Sequence, residues 1–181
     1  MSTAASKAIP DDLWEHLPCE LDDGPAPQAA IGLITLCNDM TIEPELQAFL
    51  PNDGVALYSS RIHIPKVVTV ETLANMRHDI PSVVELIVPY SKLDVVAFGC
   101  TSASMTIGPE TVEAKVHETR PEVAVSNPVS ASLKGLRKLG CHRIALLTPY
   151  IDEVNVMVED YVSGQGFEIV CKGSFKTKIQ T

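Results

Sequence analysis

The fold of this chain is indicated most clearly by the segment Leu93-Asp-Val-Val-Ala-Phe-Gly-Cys-Thr-Ser-Ala-Ser104. Its β-branched residues favour a strand, and Gly99 then lets the backbone turn tightly and approach a ligand closely. Cys100 stands where the strand ends, among backbone N–H groups and hydroxyl side chains that favour a thiolate and can also hold a carboxylate. A buried structural cysteine beside a hydroxyl-rich helix cap has the same spacing, so the residues alone leave both interpretations open.

On both sides of this segment, from Ile31 onward, short apolar runs alternate with helical stretches, which is the pattern of βαβ units. The predicted strands cover 31–36, 55–59, 95–98, 123–125, 144–147 and 168–171. The predicted helices cover 43–50, 70–79, 81–88, 109–119, 129–139 and 152–164. Parallel strands joined by helices carry reactive residues at their C-terminal ends, here 36–39, 99–104, 126–128 and 148–150.

An internal repeat predicts two similar lobes. The run Ile31–Asp39 aligns without gaps to Ile144–Asp152, and each run ends in an acid ahead of a helix. We therefore expect an α/β fold of two pseudosymmetric Rossmann-like lobes with parallel sheets. The expected divisions are a mobile N-terminal arm over 1–29, a first lobe with Cys100 over 30–120, and a partial second lobe over 121–181. The second lobe is expected to be incomplete, because the counterpart of Cys100 would fall beyond Thr181.

Composition restricts the class of partner. The net charge is −9, from 23 acidic and 14 basic residues, which argues against a nucleic-acid partner because phosphates need clustered Lys and Arg. No stretch approaches the roughly 18 to 20 apolar residues of a membrane span. The N-terminus lacks the apolar core of a signal peptide, and the five cysteines are scattered, so we expect a cytoplasmic protein. A homo-oligomer is expected on general grounds, since soluble proteins commonly form symmetric assemblies.

Metal and nucleotide sites are not expected. Cys141 and His142 are adjacent, so on a strand their side chains point to opposite faces and cannot ligate one metal ion. The sequence contains neither Cys-x-x-Cys nor His-Glu-x-x-His, and no glycine-rich phosphate loop follows a strand.

Three motifs in order resemble one protein family. The run Phe98–Ser104, followed by Ile107-Gly108, resembles the first cysteine motif of the aspartate/glutamate racemase superfamily. The most similar subgroup contains maleate cis–trans isomerases, arylmalonate decarboxylases and ectoine-utilisation proteins. Ile31–Glu43 resembles the N-terminal strand and substrate loop of that subgroup, and Leu147–Asn155 resembles its tyrosine-bearing loop. The resemblance implies a substrate cleft between two lobes, a small carboxylate substrate, and no metal or organic cofactor.

Carried over residue by residue, the resemblance makes Cys100 the catalytic thiol. The implied substrate-binding residues are Asn38, Asp39, Thr101, Ser102, Asn127 and Tyr150. In that scheme the groups after Cys100 bind a carboxylate or stabilise an enediolate, and the tyrosine hydrogen-bonds the substrate.

Two residues depart from the family pattern. Maleate isomerases usually carry asparagine where this chain has Asp39, which would repel a substrate carboxylate unless it is protonated or turned away. Arylmalonate decarboxylases carry glycine at the position of Cys100 and use a cysteine of the second lobe, which has no counterpart within this chain.

The resulting hypothesis is a cofactor-independent isomerase or racemase of a small carboxylic or dicarboxylic acid, similar to maleate cis–trans isomerase or to aspartate/glutamate racemase. The presence of Cys100 favours isomerisation or racemisation over decarboxylation. Two alternatives stay open, an arylmalonate-type decarboxylase and a non-catalytic carboxylate-binding protein on the same fold.

Overall fold

The computed structural model describes residues 15–176, in which parallel strands form two sheets. The strands are β1 (Ala29–Leu36), β2 (Val55–Ile62), β3 (Val95–Phe98), β4 (Ala124–Ser126), β5 (Arg143–Thr148) and β6 (Glu168–Ser174). The helices are α1 (Ile42–Phe49), α2 (Val70–Asn75), α3 (Ile80–Glu85), α4 (Thr101–Ile107), α5 (Pro109–His117), α6 (Pro128–Lys138) and α7 (Asp152–Gly164), with a 3₁₀ turn at Met76–His78.

The first sheet has the strand order β2-β1-β3-β4, and all of its pairs are parallel. The chain leaves β1 toward one edge and returns to β3 on the other side of β1. Such a reversal opens a crevice at the C-terminal ends of the two central strands, which is where ligands bind in open α/β sheets. The N–H of Gly99 donates to the carbonyl oxygen of Ile34 at 2.8 Å, so these two strand ends lie side by side.

The two central strands are buried on both faces. Leu33 and Ile34 follow each other in β1 and point to opposite faces, yet both are fully buried. Phe98 of β3 packs in the core beneath one face with Leu73 and Ile80 from the neighbouring helical segment. Burial of each such side chain contributes about 1.5 to 3 kcal/mol, so this core fixes the strand ends that carry the site.

A second core joins the two-stranded sheet β5–β6 to α6 and α7. Val154, Val158 and Val162 recur every four residues along α7 and form its buried stripe. This stripe packs with Phe167, and Met105 of α4 packs against the same cluster. Helix α4, which follows Cys100, therefore contributes to both cores, because Ala103 belongs to the first.

The α/β architecture with parallel sheets is confirmed, and most predicted elements differ from the structure by only one or two residues at an end. Two differences bear on the site. Strand β2 runs to Ile62, three residues beyond the predicted end, and residues 101–107 form a helix that the sequence pattern did not indicate.

The predicted boundary between the lobes at residue 121 does not coincide with the end of the first hydrogen-bonded sheet. Strand β4 pairs with β3 and completes the first sheet, so Ala124–Ser126 belong to that sheet although they fall within 121–181. Residues 1–14 of the expected N-terminal arm and residues 177–181 of the expected second lobe lie outside the described residues.

The described part of the arm, residues 15–28, contains no helix or strand. Its end is tied to the first sheet, because the N–H groups of Gln28 and Ala29 donate to the carbonyl oxygen of Gly54 at 2.8 and 3.1 Å. Between residues 15 and 176, every helix is too short or too polar to cross a bilayer.

Candidate active site

Cys100 occupies the N-cap position of α4, with Gly99 between it and the end of β3. Its backbone is extended, with φ −122° and ψ 112°, and only 4% of the residue is exposed. Gly99 is required beside it by close packing. A Cβ atom at Gly99 would lie 2.8 Å from Cδ1 of Ile42 and 3.0 Å from the carbonyl oxygen of Ile34. The strand end and the start of α1 can approach each other this closely only because position 99 has no side chain.

The turn after Cys100 is held by hydroxyl groups within α4. Ser104 Oγ donates to the carbonyl oxygen of Cys100 at 2.6 Å, and Thr106 Oγ1 donates to that of Ser102 at 2.9 Å. The hydroxyl of Ser104 is therefore occupied within the helix, whereas the side chain of Thr101 is exposed at its first turn.

The thiol of Cys100 is protonated at neutral pH. Burial raises its pKa, and this effect outweighs the N–H groups of Ala103 and Ser102 and the hydroxyl of Ser102, which lower it. The Sγ atom lies 3.8 Å from Ser102 Oγ. The amides after the turn do favour a thiolate, as the sequence predicts, but they only offset part of the cost of burying its charge.

Tyr150, from the loop after β5, lies beside this thiol. Burial raises the pKa of its phenol, the nearby hydroxyl of Ser102 lowers it, and the charge of Cys100 raises it further. The phenol therefore stays protonated at neutral pH and can donate a hydrogen bond. Three residues that the resemblance implied for the site, Cys100, Ser102 and Tyr150, are brought together from two different sheets.

Two side chains hold the loop that carries Tyr150. Its carbonyl oxygen accepts hydrogen bonds from Asn155 Nδ2 at 2.8 Å and from Ser174 Oγ at 2.6 Å. Asn155 also accepts a hydrogen bond from the buried hydroxyl of Thr148 at the end of β5. The position of the tyrosine is thus fixed by β5, β6 and α7 together.

Asp39 lies in the loop between β1 and α1, and its carboxylate accepts hydrogen bonds from the backbone at the start of α1. Its Oδ1 accepts hydrogen bonds from the N–H groups of Thr41 at 2.8 Å and Ile42 at 3.0 Å, and from the hydroxyl of Thr41 at 3.2 Å. Burial acts to raise the pKa of Asp39, but these donors and the charge of Arg61 together lower it. Asp39 is therefore ionised at neutral pH, and its charge in turn raises the pKa of Cys100.

Arg61 and Glu43 hold the loop after β1 and were not singled out for the site from the sequence. Arg61 Nη1 donates to the carbonyl oxygens of Leu36 at 3.1 Å and Asp39 at 2.7 Å. Arg61 Nη2 pairs with the carboxylate of Glu43, which also accepts a hydrogen bond from Ser59. Reactive residues are expected at the C-terminal ends of parallel strands, and Arg61 would have been included if the predicted end of β2 had been placed two residues later.

Asn127 and Asn38, which were also predicted for the site, have no described contact with Cys100. Asn127 is the N-cap of α6, where its Oδ1 accepts the N–H of Ser130 at 2.9 Å, so its amide oxygen has a capping role. Asn38 is exposed in the loop after β1. Thr35, at the end of the same strand, is fully buried, and its hydroxyl has no hydrogen-bond partner among the described residues.

The described residues contain no group of three or more His, Cys, Asp or Glu side chains arranged to hold a metal ion. Around Cys100 the groups available are a thiol, a phenol, hydroxyls, backbone amides and one carboxylate. This set is suited to proton transfer, nucleophilic addition and carboxylate binding.

The family follows from comparison with known proteins. The model of the arylmalonate decarboxylase family matches residues 40–179, which is more than half of the chain. The chain belongs to this family. Maleate isomerase from Geobacillus stearothermophilus is 30% identical over 154 residues, a match that covers 77% of this chain and 60% of that protein. The chain thus spans about three fifths of the length of this curated relative.

Solved structures of the family have the same fold. Nocardia farcinica maleate cis–trans isomerase, as a cysteine-to-serine variant with a covalently bound succinylcysteine intermediate, superposes with a TM-score of 0.73 at 27% identity. That match covers 83% of this chain and 65% of the isomerase. A double variant of arylmalonate decarboxylase in its liganded form has a TM-score of 0.67 at 24% identity over 82% of this chain and 62% of the decarboxylase, which supports the fold alone.

Proposed function

We propose that this chain is a cofactor-independent isomerase of a small carboxylic acid, with Cys100 as its nucleophile. The observation that carries the proposal is that the buried thiol of Cys100 lies near Ser102 and Tyr150, at the strand ends of an arylmalonate decarboxylase family fold. The similarity to maleate isomerases favours cis–trans isomerisation, and one of those relatives forms a covalent adduct on cysteine.

In the proposed reaction, the carboxylate of the substrate binds against the N–H and hydroxyl groups of Thr101 and Ser102. The thiol of Cys100 gives its proton to water, and the resulting thiolate adds to one carbon of the carbon–carbon double bond, so that a carbon–sulfur bond forms and the π electrons move toward the carboxylate. The resulting enediolate is stabilised by the same N–H and hydroxyl donors. Rotation about the carbon–carbon bond that was the double bond, followed by re-formation of the π bond with expulsion of the thiolate, leaves the trans acid, and the thiolate takes a proton back from water.

Tyr150 has the role of a hydrogen-bond donor in this scheme. Its raised pKa keeps the phenol protonated, so it stabilises negative charge on the substrate and does not act as a base. The loop contacts from Asn155 and Ser174 keep this donor in place. Racemisation uses the same groups but requires Cys100 to remove a proton from Cα.

The test is proton NMR of maleate and its monoamide, maleamate, in heavy water with the full chain. We expect cis-to-trans conversion, and replacement of Cys100 by serine should lower its rate at least about a thousandfold because the nucleophile is removed. Cys171→Ser, on the exposed strand β6, is the matched control and should retain the rate. An undiminished rate in the Cys100 variant would reject the assignment.

A second candidate is a non-catalytic carboxylate-binding protein. It is favoured by the raised pKa of Cys100 and by the charge of Asp39, which both lower the thiolate population at neutral pH. Binding of small acids without isomerisation and without exchange of Cα hydrogen for deuterium would support this candidate. The cytoplasmic location and the homo-oligomeric state stay predictions from the sequence.

A further inference from the structure

Asp39 lies in the loop next to the turn that carries Cys100, and its charge acts on the thiol. The strand order places the ends of β1 and β3 on the two sides of the reversal point, so the loop carrying Asp39 and the turn carrying Cys100 are neighbours. Ile42 links them directly. Its N–H donates to Asp39 Oδ1 at 3.0 Å, and its Cδ1 lies where a side chain at Gly99 would be.

Arg61, whose positive charge acts on Asp39, is already paired with a second acid. The guanidinium of Arg61 pairs with the carboxylate of Glu43, and its other N–H groups donate to the backbone carbonyls of Leu36 and Asp39. Asp39, Glu43 and Arg61 together therefore carry one net negative charge. That charge belongs to Asp39, and its influence reaches the thiol of Cys100.

The carboxylate of Asp39 also retains an acceptor for a ligand. Among the described residues, the hydrogen bonds that its side chain accepts all go to Oδ1. Oδ2 can therefore accept a hydrogen bond from a bound molecule, whereas a second carboxylate at this place would face a like charge across a partly buried crevice.

We propose that Asp39 selects, at this site, a carboxylic acid whose other end carries a hydrogen-bond donor, such as an amide, hydroxyl or amine, in place of a second carboxylate. This inference rests on the proposed function for the substrate's first carboxylate and for Cys100. It adds that simple dicarboxylates are poor ligands of this chain, although the relatives that it resembles are named for one.

The experiment measures binding without turnover. Maleate and maleamate differ only in whether the second group is a carboxylate or an amide, and their affinities are measured by isothermal titration calorimetry. The protein is the full chain with Cys100→Ser, alone and combined with Asp39→Asn or Asp53→Asn. Asparagine retains the capping ability of Asp39, and Asp53 is an exposed acid at the opposite end of the sheet, which makes its variant a control for total charge.

With Asp39 present, maleamate should bind at least about tenfold more tightly than maleate, as one like charge at short range costs roughly this factor. The Asp39→Asn variant should remove or reverse that preference, and Asp53→Asn should keep it. Equal or tighter binding of maleate with Asp39 present overturns the inference, as does an unchanged preference in Asp39→Asn or a lack of binding by both acids. Isomerisation is measured separately, with Cys100 intact. If no isomerisation occurs, the proposed function is rejected, but the relative affinities for maleamate and maleate still test the role of Asp39.

Discussion

Replacing Gly99 by alanine would add a methyl group where the structure has no room for one. The new Cβ would lie 2.8 Å from Cδ1 of Ile42, which is the end of a flexible side chain, and 3.0 Å from the carbonyl oxygen of Ile34, which is backbone. The side chain can turn away, but the carbonyl accepts the N–H of Gly99 at 2.8 Å and is fixed by the sheet. The variant must therefore separate the end of β3 from β1 at Ile34.

The expected size of this effect follows from two opposing contributions. Overpacking of a filled site costs about 1 to 3 kcal/mol. The lower entropy of an unfolded chain with alanine in place of glycine offsets about 0.4 to 1 kcal/mol of that cost. A net loss of about 1 to 2 kcal/mol in the free energy of unfolding is therefore expected, with a fall in melting temperature of about 2 to 8 °C.

Urea denaturation followed by circular dichroism measures this loss. Gly135→Ala is the matched control, because Gly135 lies within α6 and nothing stands within 4 Å of the position that its new methyl group would take. There the same substitution should stabilise the protein by about 0.5 to 1 kcal/mol through helix propensity. A Gly99→Ala protein as stable as the parent would refute the close-packing explanation.

Three further outcomes follow from the site. Thr35→Val should raise the free energy of unfolding by about 1 kcal/mol in urea titrations, because it removes a buried hydroxyl without a partner among the described residues; a loss of stability would mean that the hydroxyl is bonded. Arg61→Ala should weaken binding of maleamate, measured by calorimetry, more than it lowers stability, since its exposed ion pair contributes only about 0 to 1 kcal/mol; equal affinity would exclude a positioning role. The alkylation rate of Cys100 with iodoacetamide, followed by peptide mass spectrometry, should keep rising with pH beyond the point where a free cysteine peptide levels off. Cys100 should reach its plateau at a higher pH than the free peptide because burial raises its pKa. A plateau at a lower pH than that of the free peptide would contradict this prediction.

Strand β3 and helix α7 could be predicted to the residue, because each is bounded by residues that end it. Gly99 follows β3, and α7 ends at Gly164 after a regular stripe of valines. The parallel arrangement was also predictable, since apolar runs alternate with helices along the chain. The position of Cys100 at a strand end follows from this pattern directly.

Two parts of the site required the three-dimensional structure. Helix α4 begins with small hydroxyl residues that favour caps and turns, and its hydroxyls bond to carbonyls of the preceding turn, which no apolar period reveals. The contact between Arg61 and the loop at Asp39 spans 22 residues and depends on the register of β1 against β2. This register could not be predicted from the sequence, because the last part of β2 is polar and its apolar pattern stops before the strand does.

The sharing of α4 between the two cores has a mechanical consequence. The helix packs through Ala103 under the first sheet and through Met105 against the core of the second. It therefore lies between the two cores, and Cys100 stands at its N-terminal end. A substitution in the second core that shifted Met105 would therefore move this helix and, with it, the sulfur atom of Cys100, although every residue around the thiol stayed the same.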